Sequence, residues 1–157
     1  MEQPIQMINA LLVNSFNKII TLEKVSLEQG PFNDLTIKEF HAIEAIGLHE
    51  KTMTEAAHEL GITVGSLTVM INRLVQKEYV VRREIEGDRR YVKLVLTKKG
   101  KLAWRIHESF HRHMVMSMLE GLKEEEYDVL IRALTGLSRY LEDGVNNSGS
   151  KKSHKNK

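Results

Sequence analysis

The segment HESFH at residues 107–111 carries the H-E-x-x-H spacing of zinc metallohydrolases. On a helix, His107 and His111 share one face, where two imidazoles can bind one metal ion. Hydrolysis would also need a third protein ligand and a substrate cleft. The G-x-x-H continuation is absent, and His113 falls on another side of the helix. We therefore predict no enzyme and no cofactor, and we keep as an alternative a regulatory zinc site at His107 and His111 completed by a carboxylate from elsewhere.

A second group that can do chemistry is the basic run Asp88-Arg89-Arg90. It joins two segments, 80–85 and 91–96, whose β-branched and alternating residues predict the strands of a hairpin. A guanidinium at the tip, from Arg89 or Arg90, suits the narrow minor groove of A·T-rich DNA. The other arginine can pair with Asp88 and hold the loop in shape. A plain solvated hairpin is the alternative that the loop alone does not exclude.

The stretch before this hairpin predicts two helices joined by a tight turn. Gly61 can take the left-handed conformation that ends the first helix. Thr63 can cap the second helix by accepting from the backbone N–H of Gly65 or Ser66. Two helices joined in this way are typical of a helix-turn-helix, whose second helix lies in the DNA major groove.

The second of these helices, from Val64 to about Glu78, is amphipathic. The apolar side chains that we expect to point inward are Leu67, Ile71, Leu74 and Val75. The outer face carries Ser66, Thr68, Val69, Asn72 and Arg73. Short hydroxyl and amide groups allow close approach to base edges, and an arginine reaches a phosphate. An ordinary polar helix face would show the same pattern.

The elements that must position these residues are mainly helical. Capping boxes of the form T-x-x-E predict helix starts at Thr36 and at Thr52 or Thr54. Apolar residues at three- and four-residue spacing predict long helices at 5–28, 98–119 and 123–142. The predicted fold class is therefore mainly α with a small β-wing.

We predict one unit over residues 1–143. Within it, residues 36–97 form a winged helix-turn-helix lobe, and residues 5–34 and 98–143 form dimerisation helices. The last stretch, 144–157, has no apolar residue after Val145 and is expected to be a disordered basic tail. The long apolar helices exceed what one small winged lobe can cover. Pairing with a second copy would bury them and present two recognition helices to an inverted repeat.

Charge is segregated along the chain. Residues 1–60 carry 4 basic and 9 acidic side chains, residues 61–101 carry 10 and 4, and residues 102–157 carry 9 and 8. The middle segment, at +6, coincides with the predicted helix-turn-helix and wing. This coincidence favours a nucleic-acid partner over a merely solvated charged surface.

Composition excludes other classes. The chain has no cysteine, which excludes disulfides and thiol redox sensing. Its first residues carry an acid and no basic leader, and no apolar run approaches the roughly 20 residues that span a bilayer. We therefore expect a cytoplasmic protein with no membrane partner.

The order of these elements resembles the MarR family of bacterial transcription regulators. The likeness spans about residues 5–143 and is carried by MTEAAHELGITVGSLTVMINRLVQKEYV, EGDRRYVKLVLT and TKKG. It implies an interlocked dimer with a ligand cavity between the dimer region and the DNA-binding lobes. It also implies base contacts from Thr63, Ser66, Thr68 and Asn72, phosphate contacts from Thr54 and Arg73, and a minor-groove contact from Arg89.

Two further segments, NSFNKIITLEKVSLEQGPFNDLTIKEFHAIEAIG and LTKKGKLAWRIHESFHRHMV, resemble the FabT-type subgroup of fatty-acid synthesis repressors. This resemblance implies long-chain acyl-acyl carrier protein as corepressor. The implied acyl-pocket walls are Phe16, Ile19, Ile20, Phe40, Ile43, Trp104 and Phe110, for which core packing is an equal alternative. Arg105, His107 and Arg112 would meet the carrier protein or its phosphopantetheine, with a solvated helix face as the alternative. A MarR-type repressor released by a small aromatic or drug-like ligand is the competing function.

Overall fold

A computed structural model of the chain describes residues 2–85 and 88–152, without the side chains of 85–91 and 146–152. The element bounds in chain order are α1 Glu2–Gln29, α2 Ile37–Ile46, β1 Lys51–Thr52, α3 Met53–Glu59, α4 Val64–Gln76, β2 Val80–Ile85, β3 Asp88–Leu96, α5 Lys98–Leu119, a 3₁₀ turn Glu124–Glu126 and α6 Tyr127–Lys152. The chain divides into two units, Met1–Ser109 and Phe110–Lys157. This architecture confirms the predicted fold class.

Local hydrogen bonds explain where the helices of the first unit begin and end. Thr36 and Thr52 both form complete capping boxes, so α3 starts after Thr52 rather than Thr54. Gly47, at φ 66°, and Gly61, at φ 63°, follow α2 and α3 in the left-handed region, where glycine carries no steric cost. α4 ends because Glu78 turns left-handed, at φ 64°.

The core of the first unit lies between α2, α3, α4 and the sheet. Its fully buried side chains include Ile43, Ile46, Leu67, Ile71, Leu74, Tyr79 and Leu94. In the described part of the chain, three strands form an antiparallel sheet in the order β1-β3-β2. The two-residue β1, which pairs Lys51 with Leu94, was not predicted because so short a strand has no periodicity.

Polar contacts around Tyr79 connect α2, the start of β2 and α5, and the residues that make them, Asp34, Tyr79, Thr97 and Gly100 with Glu39, Lys77 and Lys99 beside them, are called the polar joint. The buried Tyr79 hydroxyl donates to Asp34 Oδ1 at 2.7 Å, and its carbonyl accepts from the N–H of Thr97 at 3.0 Å. Gly100 packs directly against the same carbonyl: a Cβ there would lie 2.1 Å from the Tyr79 oxygen. The glycine of the TKKG motif is therefore required by close approach of the backbone.

Carboxylates in this joint are held in the charged form. Burial raises the pKa of Glu39, but hydrogen bonds from Lys77 and Thr36 outweigh it and bring the pKa below its ordinary 4.5. Burial likewise raises the pKa of Asp34, and the hydrogen bond from Tyr79 with the charge of Lys99 brings it below 3.8. Lys77 Nζ donates to Glu39 Oε2 at 2.8 Å and to the Asp34 carbonyl at 2.5 Å. The ion pair thus connects the end of α4 to the start of α2.

Helix α1 is apolar on its surface yet contributes no buried residue. Its large exposed hydrophobic side chains are Ile5, Met7, Ile8, Leu11, Val13, Phe16, Ile20, Leu22 and Val25. Ile19 is half-buried, and Leu27 near the end of the helix packs against the core. Most of α1 therefore lacks cover from its own unit.

The second unit contains the end of α5, the 3₁₀ turn and α6. Its large exposed apolar side chains include Val129, Ile131, Leu134, Tyr140 and Leu141. α6 continues to Lys152, so residues 144–152 are helical where a disordered tail was expected over 144–157, and residues 153–157 of that tail lie outside the described residues. Extending an existing helix adds a hydrogen bond for each residue ordered, so a polar stretch can follow without a packing surface. Among the described residues, no helix is long and apolar enough to cross a membrane.

The contact at Gly100 gives a first prediction. Gly100→Ala should lower the free energy of unfolding by about 1–3 kcal/mol or more, because the new methyl group meets backbone rather than a flexible side chain. Urea denaturation measures this loss. Gly65→Ala is the matched control, since Gly65 lies in α4 and a Cβ there comes no closer than 3.9 Å, to Thr63 Oγ1. That control should be neutral or stabilising by up to about 1 kcal/mol, and an equally neutral Gly100→Ala would contradict the close contact.

The charged joint gives a second prediction. Glu39→Gln keeps the side-chain volume but loses the charge that faces Lys77, so stability at pH 7 should fall by about 1–3 kcal/mol. Because the folded pKa of Glu39 lies below 4.5, its contribution is complete above that pH and is lost as the pH falls through the folded value. Urea titrations at pH 7 and at decreasing pH should therefore show wild type converging on the variant.

The control for this experiment is Glu55→Gln. Glu55 occupies the same position in the capping box of α3 and accepts from the Thr52 N–H at 2.7 Å, but it is exposed. Its substitution should cost less, because water can replace the lost interactions. Equal losses for the two variants would show that the Lys77 pair contributes nothing.

Candidate nucleic-acid interface

Helix α4 presents one buried and one open face, as its pattern predicted. Leu67, Ile71 and Leu74 are fully buried in the core. Of the predicted DNA-contact residues, Thr54, Thr63, Ser66, Asn72 and Arg73 are exposed and Thr68 is half-buried. The core side of α4 therefore fixes the helix and leaves a row of short polar groups on the surface.

The start of α4 is organised by hydroxyl groups. Thr63 Oγ1 accepts from the Ser66 N–H at 3.1 Å and lies 2.9 Å from Ser66 Oγ. Only one of these two hydroxyls can donate to the other, so the second keeps a proton for an outside acceptor. Thr68 Oγ1 donates to the Val64 carbonyl at 2.8 Å and retains only acceptor capacity. The first turns of the helix can thus both donate and accept toward base edges.

Asn72 is oriented by an arginine of the sheet. Arg82 Nη2 donates to Asn72 Oδ1 at 2.8 Å, and this contact joins α4 to β2. An arginine only donates, so the contact identifies the oxygen and turns the amide NH₂ of Asn72 outward. Arg82 was not among the predicted site residues, because ten residues separate it from Asn72 and no local pattern indicates the pairing.

Two further side chains extend the open face of α4. Arg73 is exposed and forms no ion pair with any side chain that the structure describes. Val69 lies on the same face and is 53% exposed. A free guanidinium suits a phosphate, and an exposed methyl pair suits the C5-methyl group of thymine.

The base of the wing is held by one acidic residue. Glu50 pairs with Arg83 of β2 and with Lys93 of β3, the latter at 3.3 Å. Strand β3 begins at Asp88, so the Asp88–Arg90 run belongs to the strand rather than to the bend, a correction to the predicted hairpin. The side chains of Asp88, Arg89 and Arg90 lie outside what the structure describes. Their proposed role in the minor groove stays a prediction.

A cavity of about 440 Å³ opens between α2, the turn and α4. Its lining residues are Lys38, His41, Leu60, Ile62, Ser66 and Met70. This volume lies in the range of small-molecule sites. The cavity reaches Ser66 on the recognition helix, so an occupant would touch the same helix that faces outward with Thr63, Asn72 and Arg73.

The predicted ligand residues do not line this cavity. Ile43 is fully buried and Phe40 nearly so, because both fill the core of the winged lobe; this speaks against Ile43 as a pocket wall. Trp104 packs against the same core. Phe16 and Ile20 are exposed on α1, Ile19 is half-buried, and Phe110 belongs to the second unit. Arg105 and Arg112 are exposed, whereas the His107 side chain is only 12% exposed and is less suited to a docking protein.

The chain is similar to known proteins both in sequence and in structure. Residues 33–90 match the model of the MarR family. Streptococcus pneumoniae FabT, solved in complex with DNA, is 42% identical, with a TM-score of 0.79 over 88% of this chain and 97% of FabT. The chain belongs to the MarR family.

Two curated relatives from Bacillus subtilis (strain 168) agree with this membership. The HTH-type transcriptional regulator PchR is 24% identical over 106 residues, 65% of this chain and 63% of PchR. The uncharacterized HTH-type transcriptional regulator YfiV is 33% identical over 92 residues, 58% of this chain and 57% of YfiV. The chain thus spans less than two thirds of the length of these curated relatives.

MarR-family membership decides the enzyme question raised by HESFH. Members of this family are DNA-binding regulators and not enzymes, which confirms that prediction and contradicts the zinc-hydrolase alternative. Glu108, the side chain that would act as general base, is exposed. His107 lies against Phe40 and Glu44 in the first unit.

Proposed function

We propose that this chain is a homodimeric transcriptional repressor that binds an A·T-rich inverted repeat of DNA. The observation that carries the proposal is the open face of α4, where Thr63, Ser66, Asn72 and Arg73 stand exposed on a helix fixed by its buried side. The 42% identity to FabT, which was solved in complex with DNA, supports it. The helix-turn-helix followed by a two-stranded wing supports it as well, because the second helix of a helix-turn-helix is the one that enters the major groove.

The contacts divide into those that position and those that specify. Arg73 and Thr54 bind phosphates. The contribution of Arg73 to the binding free energy depends on salt concentration, because neutralising a phosphate releases counterions from the DNA. Thr63, Ser66, Thr68 and Asn72 read base edges, and Val69 packs on a thymine methyl group. Arg89 enters the minor groove beside the half-site, where A·T-rich sequence narrows the groove.

Dimerisation is supported by apolar surface that one copy leaves open. The hydrophobic residues of α1 are exposed over most of its length, although the helix belongs to a unit with a complete core of its own. α6 in the second unit likewise exposes large apolar side chains. Contiguous exposed apolar surface on a folded protein often marks a protein interface. A two-fold pair would bury them and place two recognition helices on one face of the duplex.

We further propose fatty-acid synthesis genes as targets and long-chain acyl-acyl carrier protein as corepressor. Support comes from the likeness to FabT-type repressors and from an apolar-walled cavity that touches α4. An acyl chain in the cavity would restrict the motion of the recognition helices. Lobes already held at one half-site spacing lose less freedom on binding, so DNA affinity rises. Arg105 and Arg112 would attract the acidic carrier protein.

A second candidate is a repressor released by a small aromatic acid. It is favoured by the mixed lining of the cavity, which includes the basic Lys38 and His41 together with the apolar Leu60 and Met70. A carboxylate between these groups and an aromatic ring on the apolar wall would fill the space. The two candidates differ in the sign of the ligand effect on DNA affinity.

Substitutions on α4 test the DNA interface. Against a duplex selected by the protein from a random library, Arg73→Ala should weaken binding to all sequences. It should also lower the slope of log Kd against log salt by about 1 per protomer. Asn72→Ala should reduce discrimination against single-base variants by about 1–3 kcal/mol. Fluorescence anisotropy gives both quantities.

The control is Lys24→Ala, which removes the same charge from exposed α1. It should change neither the salt slope nor the discrimination. An Arg73→Ala variant that behaves like Lys24→Ala would remove Arg73 from the interface.

The ligand proposal is tested by the same titration with added palmitoyl-acyl carrier protein. The operator affinity should rise at least about fivefold, whereas unacylated carrier protein should have little effect. Salicylate serves as the probe for the aromatic alternative and should lower affinity if that candidate is right. An operator affinity that does not change when palmitoyl-acyl carrier protein is added would contradict the fatty-acid proposal and leave the DNA-binding proposal intact.

A further inference from the structure

A cluster of nitrogen and oxygen donors lies in the first unit, away from the open face of α4. His41 and Glu44 stand three residues apart on α2, so their side chains share one face of that helix. His107 of α5 meets them there. One donor atom from each of the three lies within 4.8 Å of the other two.

We propose that His41, Glu44 and His107 form a binding site for a divalent transition-metal ion, with Zn²⁺ as the preferred ion. Two imidazoles and a carboxylate are a common protein donor set for Zn²⁺, which leaves a fourth position for water or another ligand. The site goes beyond the DNA-binding function and does not depend on it.

The distances fit such an ion. Donors bound to one tetrahedral Zn²⁺ at about 2.0–2.2 Å lie roughly 3.3–3.6 Å apart. His107 Nε2 and Glu44 Oε2 are already 3.6 Å apart. A donor atom of His41 lies within 4.8 Å of both, and the His41 side chain is 41% exposed, so rotation of this side chain would have to shorten the remaining distances to the tetrahedral range.

Glu23 of α1 is the proposed fourth ligand, because its carboxylate lies near both histidines. Its Oε2 lies 4.0 Å from His41 Nε2, and its carboxylate is within 4.8 Å of a His107 nitrogen. The Glu23 and His107 side chains are both 12% exposed, whereas those of His41 and Glu44 are 41% and 49% exposed. Glu23 and His107 therefore form the buried side of the site, where the positive ion would balance the carboxylate charge. His41 and Glu44 form the exposed side, through which an ion can enter.

Packing around His107 restricts its orientation. The Phe40 ring lies 4.8 Å from the imidazole, centroid to centroid, and Phe40 is itself part of the core. A metal ligand held by its surroundings loses less freedom on binding. Because His41 also lines the cavity beside α4, occupancy of this site would change the polar side of that cavity.

Metal binding is measured on the full chain, stripped with chelator, by calorimetric titration with Zn²⁺ and by Co²⁺ absorption as a coordination probe. We expect one Zn²⁺ per chain, a visible Co²⁺ band typical of low coordination number, and a higher Tm with Zn²⁺. Glu44→Gln and His107→Ala should each weaken binding at least about tenfold. His58→Ala removes an exposed histidine of α3 and should leave binding unchanged.

Two outcomes would overturn the site. One is a wild-type chain that binds no Zn²⁺ above the level of a nonspecific surface. The other is binding that persists in both Glu44→Gln and His107→Ala, or that falls equally in His58→Ala. Glu44→Gln is nearly isosteric and exposed, so its fold, checked by circular dichroism, should survive even where His107→Ala disturbs packing. No DNA is present in these assays, so their result is independent of the operator experiments.

Discussion

The ion pair between Glu39 and Lys77 is the interaction on which the winged lobe depends. Glu39 is 1% exposed, and its carboxylate accepts from the Thr36 N–H at 2.8 Å and from Lys77 at 2.8 Å. The Glu39 carboxylate therefore caps the start of α2 and also binds Lys77 at the end of α4. A buried carboxylate is costly unless it is paired, and the hydrogen bonds that the Glu39 carboxylate accepts all go to Oε2, while the buried Oε1 accepts none. Loss of Lys77 or Thr36 would therefore leave a buried charge with still fewer partners.

The neighbouring contacts extend this constraint to the surfaces that act. Tyr79 follows the end of α4, and its hydroxyl donates to Asp34. Its backbone carbonyl accepts from the N–H of Thr97 and lies in close contact with Gly100. The recognition helix, the start of the wing and the start of α5 therefore meet at a single joint. Their relative positions are set by polar contacts that tolerate little displacement, and a DNA reader needs this rigidity because base contacts require sub-ångström placement.

Much of the lobe was predictable because its signals are local. The capping boxes of Thr36 and Thr52 depend on residues three apart, and the left-handed turn at Gly61 depends on one residue. The buried and open faces of α4 follow from a spacing of three and four residues. The strand β1, the contact of Arg82 with Asn72 and the buried charge of Glu39 join distant residues, and no periodicity in the chain indicates them.

The sequence by itself determined most of the helices and the hairpin, the polar face of α4 and the concentration of positive charge. These depend on side-chain type and short-range spacing. Only the tertiary structure decided that Ile43 fills the core, that the cavity is lined by Ile62 and Met70, and that His107 meets His41 and Glu44. An apolar or imidazole side chain suits a core, a pocket or a metal equally well, and the choice among them depends on which distant side chains folding brings beside it.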